Sequence, residues 1–287
     1  MSRRHIAVLL AAVVVGGCAN SEPGQAEKPA GGPPSSVVDA SLLGSGNFPV
    51  TPTPPLGTAG VMSTGALIDA RRLADDVVGP WEIDPQMVVP GQSRAVVIPG
   101  APALGTILPA AVASTAGAHN MLYGFASDRQ DPDRWRLMNG VLRFPDAAAA
   151  GAAAADLAGA VARLAPTLDH PVPISGHTDA RAVTLGSNLD AGLDQPVTLY
   201  GFTPHGPYVL TQLVYAPDQD AAATAVVATL TAQMPRIDQF VPTDPAKFAA
   251  LPMDPSGMLS HTMPPPTFPD PPSSRLPDAK VGSYLPR

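Results

Sequence analysis

The spacing of apolar side chains divides this chain into segments of distinct character. The first well-marked pattern covers residues 67–77, where Leu67, Ala70, Leu73, Ala74 and Val77 recur three and four apart. Asp69, Arg72 and Asp76 occupy the other side. Residues at that spacing share one face of a helix, so the pattern predicts an amphipathic helix near the start of the folded region. Ser63 or Thr64 is the expected cap, and Gly79-Pro80 is the expected stop. Trp81 and Ile83 should then fold back onto the core. Residues 86–118 are punctuated by Gly and Pro, with 95–98 reading as a short strand and 107–116 as a helix.

From there the pattern repeats. Leu122-Tyr123-Gly124-Phe125-Ala126 recurs as Leu199-Tyr200-Gly201-Phe202-Thr203. A second strand follows each copy, at 136–144 and 208–215, and each then meets Pro-Asp and enters an alanine-rich helix. Asp146 and Asp218 sit where a cap can accept hydrogen bonds from the free amides of the first turn. Leu157, Val161 and Leu164 give the first helix a core face, and Val226, Val227 and Leu230 serve the second. Gly151 and Gly159 each cost that first helix roughly 1 kcal/mol against alanine, so tertiary contacts must hold it. The turns differ: 130–134 is long, whereas Pro204-His205-Gly206-Pro207 is tight. Residues 180–185 form a likewise strand-like run between the copies. Two strand–strand–helix units in succession predict an α+β fold. The sheet should be mainly antiparallel, with helices packed on one face and the N-terminal amphipathic helix added. Residues 236–240 extend the last helix past a kink at Pro235, and Asp244-Pro245 starts a short turn.

The two ends read differently. Arg3 and Arg4 precede an unbroken ten-residue apolar run at 6–15, and Val15-Gly16-Gly17 leads to Cys18, the only cysteine. Ten residues are too few to span the roughly 30 Å hydrocarbon core, which takes about 20 in a helix. A basic start, a short apolar core and small residues at a cut site describe a secretion signal. The box around Cys18 resembles that of bacterial lipoproteins. This resemblance implies that 1–17 is a signal peptide, and that Cys18 becomes the first mature residue and the lipid attachment site. Two acyl chains make a stable anchor where one is marginal. Residues 18–36 carry Pro23, Pro29, Pro33 and Pro34 and read as a tether, reaching some 55 Å at about 3.1 Å per residue. The α+β domain is expected over 37–260, and 261–287 is a proline-rich extended tail.

Composition narrows the partners. Removal of 1–17 takes Arg3 and Arg4 with it, leaving 15 basic against 24 acidic side chains and a net charge of about −9. That surface argues against nucleic acid, whose binding runs on Lys and Arg charge. It also argues against a polybasic hold on anionic lipid. One cysteine permits no disulfide framework.

Several stretches resemble a family of actinobacterial, mycobacterial-type lipoproteins of unknown function. They are Ala70-Arg71-Arg72-Leu73-Ala74-Asp75, Leu142-Arg143-Phe144-Pro145-Asp146 and Gly176-His177-Thr178-Asp179-Ala180-Arg181. His205-Gly206-Pro207-Tyr208-Val209 and Leu251-Pro252-Met253-Asp254-Pro255-Ser256-Gly257 belong with them. The resemblance covers about 37–259 and implies an N-terminal domain, with the usual second domain missing. It implies no activity, so no catalytic residues come with it.

Tests for chemistry mostly fail. There is no Gly-x-Ser-x-Gly elbow and no phosphate loop, and Lys247 is the one lysine inside the expected domain. The remaining polar concentration is His170, His177, Asp179 and His205. His177 and Asp179 would share a face of a strand, and with His205 they could make a metal or weak acid–base site. Local turn bonding is the plainer account of them. A second alternative is a carrier whose cupped apolar face, with Tyr123, Phe125, Tyr200 and Phe202, holds a lipid. The sequence therefore reads as a lipid-anchored envelope protein on the outer face of the cell membrane. It is a binding or scaffold module, not an enzyme, with no cofactor and with an envelope protein or lipid as partner.

Overall fold

The computed structural model describes residues 52, 54–131, 135–166, 169–185 and 196–262. The expected signal peptide 1–17, the tether 18–36 with Cys18, the start of the 37–260 domain and the tail beyond Thr262 lie outside the described residues.

Seven strands form one sheet: β1 (Val89–Ile98), β2 (Tyr123–Asp131), β3 (Trp135–Arg143), β4 (Asp169–Val172), β5 (Arg181–Leu185), β6 (Val197–His205) and β7 (Tyr208–Ala216). Their spatial order is β1-β2-β3-β7-β6-β5-β4, and every neighbouring pair is antiparallel. The two long hairpins, β2–β3 and β6–β7, are thus the expected repeated units, joined through β3 and β7 at the centre. Six helices complete the α+β fold among the described residues. They are α1 (Met62–Arg72), α2 (Pro80–Ile83), α3 (Ala101–Leu104), α4 (Ala110–Ala118), α5 (Ala147–Ala162) and α6 (Gln219–Ile237).

The helices do not share one face. Ala153, Leu157 and Val161 of α5 pack with Met138, Phe202 and Val209, whereas Ala222, Val226 and Leu230 of α6 pack with Leu137, Leu199 and Leu210. Those strand positions alternate, and alternate side chains of a strand point to opposite faces. The cause lies in the register of the central pair. Asn139 sits opposite Gln212, but alignment of Pro145-Asp146 on Pro217-Asp218 makes Thr211 its counterpart in the second unit. A one-residue offset turns every side chain over. Each unit is therefore inverted relative to the other, and each face of the sheet carries helices.

Local chemistry accounts for the ends of these elements. Asp146 accepts from the Ala149 amide at 2.8 Å and Asp218 from the Ala221 amide at 2.7 Å, the expected caps. Helix α1 starts instead from Val61 with no side-chain cap, so neither Ser63 nor Thr64 plays that part. It tightens into a 3₁₀ turn over Leu73–Asp76. Leu164, expected in the core, lies past the end of α5 and is 46% exposed. Helix α6 carries Pro235 in its last turn and runs on to Ile237.

Buried polar groups join the layers. Gln233 of α6 accepts from the Val78 amide at 2.9 Å and from Asn139 at 2.8 Å, and donates to the Asp76 carbonyl at 2.7 Å. Tight approach matters as well. A Cβ on Gly65 of α1 would overlap the Phe248 backbone carbonyl of the 3₁₀ segment Pro245–Ala250. Gly65→Ala is accordingly expected to lower stability by about 1–3 kcal/mol. At Gly151 of α5 a Cβ meets nothing within 4 Å, so Gly151→Ala should raise stability by up to about 1 kcal/mol. Urea midpoints of the two variants should move in opposite directions; a shared direction would contradict the packing described.

Candidate functional site

Helices α3, α4 and α5 leave part of their face of the sheet open. There, among the described residues, lies a cleft of about 1230 Å³. Its floor is a row of side chains lying directly across from one another. Gln130 on β2 is opposite Arg136 on β3, Arg136 is opposite Tyr215 on β7, and Tyr215 is opposite Thr198 on β6. One step along the strands, Leu213 lies opposite Tyr200. Gln92 and Ser93 of β1, Thr106 and Ile107 of the α3–α4 turn, Trp135, and Pro217 complete the walls.

The cation in this floor is held in place. Arg136 donates to both carboxylate oxygens of Asp128, from Nε at 2.8 Å and Nη2 at 2.6 Å. Asp128 is fully buried and also accepts from the Ser93 amide at 2.8 Å. A paired, fork-to-fork contact fixes the guanidinium plane and cancels its charge. Gly91 permits it, since a Cβ there would strike the Asp128 carboxylate. The same contact fixes the irregular stretch of β1 between Pro90 and Ala95, where the register with β2 shifts. Burial raises the pKa of the Tyr200 hydroxyl, with the nearby Arg136 charge opposing it. At neutral pH Tyr200 is thus an uncharged donor and acceptor. Tyr215 is 45% exposed and offers its ring to solvent.

The side chains singled out in the sequence lie elsewhere. His205, at the end of β6, has its Nε2 2.7 Å from an Asp238 carboxylate oxygen. His177 sits in a turn, its amide donating to Ile174 and its carbonyl accepting from Ala180, each at 3.0 Å. No three His, Cys, Asp or Glu among the described residues are arranged to hold a metal ion, so His177, Asp179 and His205 do not form the metal site considered. The four aromatics of the carrier reading are split as well. Tyr123 and Phe125 fill the core on the α6 side, Phe202 fills it on the α5 side, and Tyr200 alone reaches the cleft. The four therefore do not share one cupped apolar face. The cleft residues Gln130, Arg136, Thr198 and Tyr215 carried no motif; only the strand register brings them into a row.

A family profile described as the N-terminal part of a domain of unknown function, DUF7373, matches residues 56–253. The chain belongs to this family. The DUF7373 domain thus accounts for nearly all the described residues, and its family carries no assigned activity, as the motif resemblance implied. No protein in the curated comparison matches it. One solved structure similar to it is the extracellular domain of PknH from Mycobacterium tuberculosis. That match has 12% identity and a TM-score of 0.38, and covers 56% of this chain and 95% of that one. So slight a likeness carries no function across. No helix among the described residues of the DUF7373 domain is long and apolar enough to cross a membrane.

Proposed function

We propose that the protein is exported, carries lipid on Cys18, and works outside the membrane as a binding module whose ligand site is the cleft beside α5. The cleft is the observation that carries the binding reading. Concave sites with a few fixed polar groups on a rigid scaffold are where small ligands are held, and here the polar groups are fixed by strand pairing and by Asp128. The anchor is supported by the basic start, the short apolar run and the lone cysteine of 1–18. A tether of the composition found at 18–36 would hold the cleft clear of the headgroups. The surface, with its excess of acidic groups, fits a protein held by acyl chains and not by charge.

The anchor is tested by the intact mass of detergent-extracted protein. The expected mature chain begins at Cys18 and bears a diacylglycerol thioether. Cys18→Ser should remove that mass and shift most of the protein from the membrane to the soluble fraction. A wild-type chain that begins at another residue, or lacks lipid, would overturn the anchoring.

A further inference from the structure

The cleft's lining defines a ligand class, an inference that rests on the binding reading above. Its charge balance excludes anions. Arg136 is the cation of the floor, and both of its inward-facing donors are already satisfied by Asp128. The other charged side chains of the described lining, Asp131 and Asp218, are acidic, and each already takes part in an interaction. Asp218 is engaged in capping α6. A phosphate, sulfate or uronic acid would find no unpaired positive charge among the described lining residues.

Its polarity excludes a bare acyl chain. Gln130, Arg136 and Thr198 share the floor's row with Tyr215, and covering them with hydrocarbon would cost about 1–3 kcal/mol for each group left unsatisfied. What remains is a ligand that is uncharged, rich in hydroxyls, and flat and apolar on its ring faces. Tyr200, Tyr215 and Trp135 supply the matching surfaces, each an apolar ring with a polar tip. The amide and hydroxyl of Gln130 and Thr198 both donate and accept, as a sugar hydroxyl requires. The volume exceeds the roughly 300–1,000 Å³ typical of a single small ligand, which suits several linked rings.

We propose that the cleft binds a neutral oligosaccharide, its rings against Tyr215 and Tyr200 and its hydroxyls bonded along the Gln130–Arg136–Thr198 row. The test uses the full chain, in detergent for the sugars and as the soluble Cys18→Ser variant without detergent for the vesicles, titrated calorimetrically with maltohexaose, cellohexaose and xylohexaose. Hexagalacturonate and phosphatidylcholine vesicles serve as the charged and lipid arms. At least one neutral hexamer should bind, with affinity falling about tenfold or more in Tyr215→Ala and unchanged in Val61→Ser, a comparably exposed position that does not line the cleft. Because Tyr215 is exposed, its variant should melt with the wild type, separating lost binding from lost fold. Tyr215-dependent binding of hexagalacturonate or vesicles without any neutral hexamer would overturn the sugar assignment and leave the binding module standing. An absence of Tyr215-dependent binding by every probe would overturn both.

Discussion

Asp69→Ala is expected to destabilise the domain by about 3–5 kcal/mol, because one buried carboxylate serves several donors at once. The sequence pattern places Asp69 on the solvent side of α1, yet its side chain is fully buried. Its carboxylate accepts from the Tyr123 hydroxyl at 2.6 Å, the Thr243 hydroxyl at 2.8 Å and the Thr243 amide at 3.0 Å, and pairs with Arg72. Arg72 reaches on to the Val241 carbonyl at 3.1 Å. One carboxylate thereby ties α1, strand β2 and the segment after α6. Truncation leaves the buried Tyr123 hydroxyl and the half-buried Thr243 donors without this acceptor, and a buried group so left costs about 1–3 kcal/mol. Burial and the adjacent carboxylate raise the Tyr123 pKa, so its hydroxyl stays protonated and keeps donating well into alkaline solution. Tyr123→Phe removes one donor and should cost only about 1–2 kcal/mol. Urea unfolding of both single variants and the double variant would show strong coupling between the two positions. A loss under about 1 kcal/mol for Asp69→Ala would contradict the network.

Asp128→Ala should have the second-largest effect, about 2–4 kcal/mol, somewhat less because only Arg136 and the Ser93 amide depend on this carboxylate. The variant strands a guanidinium without its counter-charge and leaves the Ser93 amide bare. If the pair, and not the volume of Asp128, is responsible, Arg136→Met in the same chain should recover a good part of the loss. A buried ion pair can often be exchanged for apolar groups at little net cost, whereas removing one partner cannot. Thermal unfolding measures both. A double variant no more stable than Asp128→Ala would assign the effect to packing instead. The single variant should also release the Arg136 guanidinium from its carboxylate partner, and with it bring a gain in hexagalacturonate binding over the wild type.

Local pattern made much of the fold legible. Both hairpins, both Pro-Asp helix starts and the α+β class follow from short-range spacing, because strand alternation and capping act within a few residues. What escaped was set by long-range pairing. Strand β4 contains Pro171, which weakens any strand reading, but it lies at the sheet edge, where a missing amide is tolerated. The first half of β1 is irregular and Gly/Pro-rich, and Asp128 holds it from the neighbouring strand. Asp69 read as a surface group because helical period reports which side is polar, not whether that side meets water or a buried tyrosine. The cleft was illegible for the same reason. Gln130, Arg136, Tyr215 and Thr198 come from four strands, and no spacing along the chain announces that they stand abreast. The histidines drew attention through residue type alone, and type without geometry did not make a site.

The inversion of the two hairpins separates the fates of like residues. Tyr123 and Tyr200 occupy matching places in matching sequences, yet one is clamped beneath α1 and the other borders open solvent. The same tyrosine-to-phenylalanine change should therefore register as lost stability at one position and as altered ligand affinity at the other. A single slipped register has let one repeated sequence supply a structural bolt on one side of the sheet and, in the function proposed here, a recognition surface on the other.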